Sequence, residues 1–217
     1  MLHLDFNRSD KAAYQLLCLG AHCDDIEIGC GGTLLKLIEN QRVQSIKWVV
    51  FTSNAERVQE ARESAEDFLK DVSEKEVIVK NYRDGFLPQM ATDVKETFEA
   101  IKKGFSPDII FTHYRQDLHQ DHRLLADFTW NTFRNHLILE YEIPKYDGDL
   151  GNPNFFVHLD DRQAKRKSEL MLEHFKSQAN KHWFDEETFL ALMRLRGMQS
   201  AAFSKYAEGF YARKLVL

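Results

Sequence analysis

The sequence contains no run of about 18 apolar residues, so it offers no membrane-spanning helix. It also lacks an excess of positive charge: 29 Lys and Arg stand against 34 Asp and Glu, a net charge of −5. That balance excludes the basic footprint of a phosphate-backbone binder, and nucleic acid as a partner with it. Cysteine is scarce and odd in number, with Cys18, Cys23 and Cys30 all near the N-terminus, which excludes a disulfide framework. The opening stretch MLHLDFNRSDK lacks the apolar centre of a signal peptide, and the expected location is cytoplasmic. The two marks of disorder are missing as well, because the hydrophobic fraction is 43% and the charged fraction 29%, ordinary values for a globular protein. No internal repeat, low-complexity stretch or linker divides the 217 residues. The expectation is one domain over 1–217, with a core up to about residue 137 and a C-terminal cap from about 138 onward. What the chain does have is nine histidines, few enough for their positions to carry information.

Short β-like runs alternate with longer amphipathic ones. Tyr14 to Leu19, Ile46 to Thr52, Glu76 to Lys80 and Asp108 to His113 read as strands. Thr33 to Asn40, Glu56 to Val72, Thr92 to Gly104 and about His122 to His136 read as helices. This spacing predicts a Rossmann-like α/β fold, a mostly parallel sheet with helices on both faces. In the tail, Ile138 to Ile143 and Asn154 to Leu159 read as strands around the loop PKYDGDLGNPN. Asp161 to Gln178 and Glu186 to Arg196 read as helices, completing a C-terminal α/β cap. The aromatic set Phe155, Phe156, Trp183, Phe184 and Phe189 reads as the core of that cap rather than a sugar platform.

Two polar clusters follow predicted strands, where ligands bind in open α/β sheets. The first is Ala21-His22-Cys23-Asp24-Asp25-Ile26-Glu27-Ile28-Gly29-Cys30-Gly31-Gly32-Thr33. Adjacent carboxylates repel unless a cation lies between them. His22 and Asp25, three apart on a turn, can face one ion, and Asp24 then points elsewhere and can handle a proton. The competing readings are a polar turn with an Asp N-cap and a nucleotide loop built on Gly29, Gly31 and Gly32, which lacks the third spaced glycine of the dinucleotide fingerprint. The second cluster is His113-Tyr114-Arg115-Gln116-Asp117-Leu118-His119-Gln120-Asp121-His122, with His119 and His122 on one face of a helix start. Its competing reading is a polar helix N-terminus favourable to the dipole. Together the clusters supply His22, Asp25 and a further histidine, three protein ligands with an open position, the arrangement of a catalytic zinc site rather than a structural one.

AHCDDIEIGCGGTL followed by THYRQDLHQDHR resembles the zinc-dependent N-deacetylases of the PIG-L (LmbE-like) family, whose patterns read A-H-P-D-D-x-E-x-G-x-G-G-T and D-x-H-x-D-H. SNAERVQEARESAEDF, YRDG, HFKSQ and YAEGF look like further family segments. Cys23 stands where the family has proline, which removes no ligand. The resemblance implies His22, Asp25 and His122 as metal ligands for Zn2+ or another divalent ion such as Fe2+. It implies Asp24 as general base, His119 as the acid or oxyanion residue oriented by Asp121, and Arg62 as a substrate contact. Asp117 and His174 are further candidates for substrate contact, His174 sharing a helical face with Gln178. His113 reads as a neighbour of the centre or a core residue.

The implied reaction is hydrolysis of the N-acetyl group of a small sugar or sugar conjugate such as an N-acetylglucosamine derivative, with a small-molecule sugar as partner and a homo-oligomer compatible with the cap. The alternatives are an amidase or deacylase acting on a non-sugar conjugate, and a lapsed metal- or nucleotide-binding Rossmann-like module. Intact Asp24 and His119 argue against the lapsed module, since a mere metal holder needs neither.

Overall fold

The computed structural model describes residues 13–216. The N-terminal stretch that lacks a signal-peptide centre, and His3 within it, lie outside the described residues. Among the described residues no helix is long and apolar enough to cross a membrane.

The chain alternates β1 (Tyr14–Gly20), α1 (Asp25–Glu39), β2 (Val43–Thr52), α2 (Ala55–Phe68), β3 (Glu74–Tyr82), α3 (Ala91–Gly104), β4 (Ile109–His113), α4 (Gln120–Thr132) and β5 (Leu137–Tyr141). It continues with β6 (Phe155–Leu159), α5 (Asp161–His174), α6 (Glu186–Gln199) and β7 (Tyr206–Ala212). The seven strands form one sheet in the order β3-β2-β1-β4-β5-β7-β6. The first five are parallel, and β7 runs antiparallel to both β5 and β6. The mostly parallel sheet is as expected, and the C-terminal strands extend that same sheet.

Side chains alternate across β1 as the pleat requires. Leu16 and Cys18 join Trp48, Val50 and Phe111 under α1, α2 and α5, while Leu17 and Leu19 join Val49, Phe51 and Ile110 under α3 and α4. Burial on both faces explains why β1 reads as an unbroken apolar run. Helix starts follow local chemistry. The Asn54 side chain accepts the Arg57 N–H at 2.9 Å at the head of α2, and Asp160 with Gln163 forms a capping box on α5.

Three elements differ from the sequence reading. α1 begins at Asp25, eight residues earlier than expected, so Gly29, Gly31 and Gly32 lie inside a helix and not in a turn. A β-carbon on Gly29 would sit 2.2 Å from the Tyr141 ring, and one on Gly32 would sit 2.5 Å from Leu159, so these glycines permit close packing of α1. The expected helix Asp161 to Gln178 ends at His174, and a short 3-10 turn at Lys176–Gln178 follows, where Ser177 bonds Glu60 of α2. β7 was legible only as the matching segment YAEGF. It fills the place between β5 and β6, where Phe210 is buried against Phe111 and Phe155. In the aromatic set, Phe184 and Phe189 are buried and Phe155 and Trp183 pack against the same core.

The chain runs from β1 outward through β2 to β3, then returns to place β4 on the other side of β1. The carboxyl ends of β1 and β4 therefore flank a topological switch point, where the connections diverge and leave a crevice. Both polar clusters emerge there.

Candidate metal centre and active site

Three ligand-type atoms converge at this crevice. His22 Nδ1 lies 3.1 Å from His122 Nε2 and 3.3 Å from Asp25 Oδ2, and His122 Nε2 lies 3.6 Å from Asp25 Oδ2. The side chains are almost wholly enclosed: 14% exposed for His22, 4% for Asp25 and 3% for His122. Three atoms each about 2.0–2.1 Å from one tetrahedral ion stand about 3.3 Å apart, which matches the observed spacing.

The outer contacts of the rings set which nitrogen carries hydrogen. His122 Nδ1 is 2.9 Å from Asp117 Oδ2, so Nδ1 donates and Nε2 presents its lone pair inward. His22 Nε2 lies 3.0 Å from Asp84 Oδ1 and 3.4 Å from Asp121 Oδ2, while its Nδ1 faces His122 Nε2 and Asp25 Oδ2. Two imidazole nitrogens and a carboxylate oxygen thus face one another, donor types that a divalent cation taking the place of the proton between them would accept. The residues fit a divalent metal. Three further donor groupings lie in the same crevice: His22, His119 and His122; Asp25, His113 and His122; and His22, Asp84 and Asp121. His113 Nε2, 3.2 Å from Asp25 Oδ2, already accepts the Ala21 N–H at 2.9 Å, and His119 Nδ1 already accepts the Asp121 N–H at 3.2 Å.

The groups of the cluster shift one another's protonation in opposite directions. Burial disfavours imidazolium at His22, but the charge of Asp25 and the contacts to Asp121 and Asp84 outweigh it and hold the pKa well above the usual value. Burial would raise Asp25, yet His122, His113 and His22 hold it well below the ordinary carboxylate range. His122 is pushed down to about 3, first by burial and then by His113, so it stays neutral and able to ligate. His119 is also lowered, by burial and by the charge on His22.

Asp24 stands beside the centre, buried, with Oδ1 2.9 Å from Arg57 Nη2. Arg57 sits over the Phe175 ring at 5.9 Å and near Glu60, whose carboxylate accepts the Ser177 N–H and O–H. This corrects the expected role of Arg62. Five residues along a helix turn the side chain by about 140°, and Arg62 is exposed while Arg57 faces Asp24.

Two further sequence readings change. Asp121 does not hold the His119 ring through its carboxylate. That carboxylate accepts the N–H groups of Gly85 at 2.8 Å and Leu87 at 3.1 Å, which pins the loop carrying Asp84 against His22. Gly85 takes a φ of +78°, a turn open to glycine. His119 is instead the N-cap of α4, oriented by the backbone N–H of Asp121, so in its neutral form the hydrogen sits on Nε2. Asp117 does not face a substrate. It is buried, and it accepts from the His119 N–H at 2.8 Å, from His122 Nδ1 at 2.9 Å and from Lys145 Nζ at 2.8 Å.

His174 leaves the site altogether: its Nε2 meets Asp67 Oδ2 at 2.7 Å, and Asp67 lies about 15 Å along α2 from Arg57 at 1.5 Å per residue. His113 is fully buried behind the centre, stacked on His122 with ring centroids 3.9 Å apart. Cys23 bonds the Thr52 carbonyl, and burial pushes its thiol up to about 12, so it offers no ligand. Arg57, Asp84 and Lys145 escaped the sequence reading. The YRDG turn carried a signal for Asp84, but nothing local marked the other two.

A family model described as PIG-L: GlcNAc-PI de-N-acetylase matches residues 17–133, more than half of the chain. A protein of Escherichia coli (strain K12), described as the uncharacterized deacetylase YaiS, is 28% identical over 136 residues, 59% of this chain and 74% of its own length. The N,N'-diacetylchitobiose deacetylase of Pyrococcus horikoshii, solved with its inhibitor MPG, superposes with a TM-score of 0.70 at 21% identity, covering 96% of this chain and 87% of that one. GalB, a 4-carboxy-2-hydroxymuconate hydratase of Pseudomonas putida KT2440, superposes equally well, with a TM-score of 0.70 at 14% identity, covering 94% of this chain and 97% of that one. At such identities the superpositions establish the fold.

Proposed function

The chain belongs to the PIG-L family of de-N-acetylases, hydrolases of N-acetyl groups, and from that membership we propose that it removes the N-acetyl group from a small N-acetylated sugar or sugar conjugate, with His22, Asp25 and His122 holding zinc. The observation that carries this reading is the convergence of His22 Nδ1, Asp25 Oδ2 and His122 Nε2 within 3.1–3.6 Å of one another, with the buried Asp24 next to Asp25 in the chain.

An ion held there supplies Lewis acidity: it polarises the amide carbonyl and lets water give up a proton near neutral pH. Asp24 is the base that accepts that proton. Arg57 pairs with its Oδ1 at 2.9 Å, leaving Asp24 Oδ2 as the atom assigned to the proton. Attack on the carbonyl carbon develops negative charge on its oxygen. His119 answers that charge by donating from Nε2 as a neutral imidazole, a preorganised donor of the oxyanion-hole type. Its lowered pKa is consistent with that form. As the C–N bond breaks, the proton taken by Asp24 is available to the leaving amine, and acetate departs.

GalB, described as a hydratase, shares the fold alone, and hydration in place of amide hydrolysis is the second reading. Amine release separates the two. Zinc-loaded wild-type protein is expected to release amine from N-acetylated sugars, with loss on chelation. Asp24→Asn, which keeps the shape and removes the base, is expected to lower turnover by about 10²–10⁴-fold. Wild-type turnover in Asp24→Asn would overturn the assignment of the base, and no amine release from any N-acetyl sugar would overturn the reaction.

A further inference from the structure

The loop between β5 and β6 carries a cation whose place the reaction does not explain. Lys145 Nζ donates to Asp117 Oδ2 at 2.8 Å and to Asp149 Oδ1 at 2.7 Å, and it lies 3.3 Å from the Ile143 carbonyl. Its side chain is only 11% exposed, and those of Asp117 and Asp149 are 1% and 7% exposed. The two carboxylates do not hold Lys145 alone. Asp149 Oδ2 accepts the Leu118 N–H at 2.7 Å, and Asp117 Oδ1 accepts the His119 N–H at 2.8 Å. Asp117 Oδ2, the oxygen that Lys145 touches, is also the one that accepts from His122 Nδ1 at 2.9 Å.

We propose that Lys145 is a positioning residue of the centre: its ammonium bridges Asp117 and Asp149 and thereby fixes the His122 ring and the backbone on which His119 stands. The proposal rests on the reading of His122 as a metal ligand. The physical reason is charge. Two nearly buried carboxylates within 2.8 Å of one point repel unless a cation lies between them. With Lys145 present they are held together, and they also accept from Leu118, His119 and His122. Without it they separate, and Leu118, His119 and His122 lose the fixed ends of their hydrogen bonds.

The bridge also anchors the rest of the loop. The same loop carries Tyr146, 74% exposed and with its ring 5.2 Å from His182, and Leu150, 41% exposed. Lys145 fastens these outward-facing side chains beside the segment that bears His119.

The test uses full-length protein and zinc with a competing chelator, together with amide hydrogen exchange over 114–122. Lys145→Met keeps the aliphatic stem. It is expected to weaken zinc binding by about 10–100-fold, the usual cost of removing an outer partner of a metal ligand, and to speed exchange at Leu118 and His119. Lys145→Arg, which keeps the charge, is expected to restore most of both. Lys47→Met breaks a lysine–carboxylate pair at the sheet edge and is expected to change neither. A role in stability alone would lower Tm and leave the zinc affinity and local exchange as in wild type, and that result in Lys145→Met overturns the proposal. If Lys145→Met does not fold, Asp149→Asn decides: faster exchange at His119, whose N–H bonds Asp117 and not Asp149, supports the bridge, and unchanged exchange there overturns it. Wild-type protein that takes up no zinc would sink the reading of the centre, while the exchange measurement would still judge Lys145.

Discussion

Replacing Gly29 with alanine sets two effects against each other. Alanine is the better helix former, and inside α1 the exchange gains about 1 kcal/mol from propensity. The new β-carbon, however, would stand 2.2, 2.4 and 2.8 Å from Cδ2, Cγ and Cε2 of Tyr141. Tyr141 has nowhere to go. It is fully buried, its hydroxyl donates to the Leu19 carbonyl at 2.6 Å, and its ring stands edge-on to His113 at 4.8 Å. Overpacking a core costs about 1–3 kcal/mol, and a contact this short against a fixed ring belongs at the upper end, so the net loss is about 2 kcal/mol. For a chain of this size that corresponds to a fall in Tm of about 4–8 °C. Gly32→Ala meets the flexible end of Leu159 at 2.5 Å and is expected to cost less. Gly104→Ala, with nothing within 4 Å, is expected to match or slightly exceed wild type. Thermal unfolding of the three variants reads this order directly. Gly29→Ala as stable as wild type would refute the packing account. A rise in wild-type Tm on adding a dinucleotide would bring back the phosphate-loop reading of these glycines.

Two other outcomes follow from the geometry. Arg57→Ala leaves Asp24 buried without its cation and is expected to lower kcat/KM at least about tenfold and stability by about 1–3 kcal/mol; Arg62→Ala, on the solvent side of the same helix, is expected to stay within about 0.5 kcal/mol of wild type with unchanged kinetics. Equal losses in both would return Arg62 to the site. Glu27 is fully buried in α1 with its Oε1 accepting from Ser64 Oγ at 2.6 Å, and burial pushes its pKa from 4.5 up to about 8. Between these values the folded state binds the proton that the unfolded state has released, so in metal-free protein stability falls as pH rises through this window, by at most about 1.4 kcal/mol per pH unit. Glu27→Gln has no such proton to lose and is expected to gain on wild type between pH 5 and 8 in urea unfolding, whereas parallel pH profiles would show that Glu27 is ionised in the folded protein.

Much of the centre was legible because its information is local. His22, Asp24 and Asp25 lie within four positions, and His119 and His122 sit one helical turn apart, so spacing alone brings each set to one place. The alternation of apolar runs then puts both sets at the carboxyl edge of one sheet. Element types followed from the same periodicity. The start of α1 did not, because glycines suggest a turn until their packing partners are known, and those partners, Tyr141 and Leu159, come from β5 and β6, more than a hundred residues away.

Which carboxylate serves which histidine was decided only by the tertiary structure. Asp121 is the sequence neighbour of His122 and Asp117 lies five residues before it, yet it is Asp117 that meets the His122 ring, while Asp121 turns to the loop at Gly85 and Leu87. Arg57 and Arg62 share one helix, and only the packing of α2 beside α1 selects the face that meets Asp24. Lys145 reaches Asp117 across 28 residues of chain. The sequence by itself determined the ligand types and the sheet edge where they gather, since both depend on neighbours along the chain. The pairing of charges, the tautomers they impose and the bridge at Lys145 depend on distances that arise only when separate strands and loops close on one another.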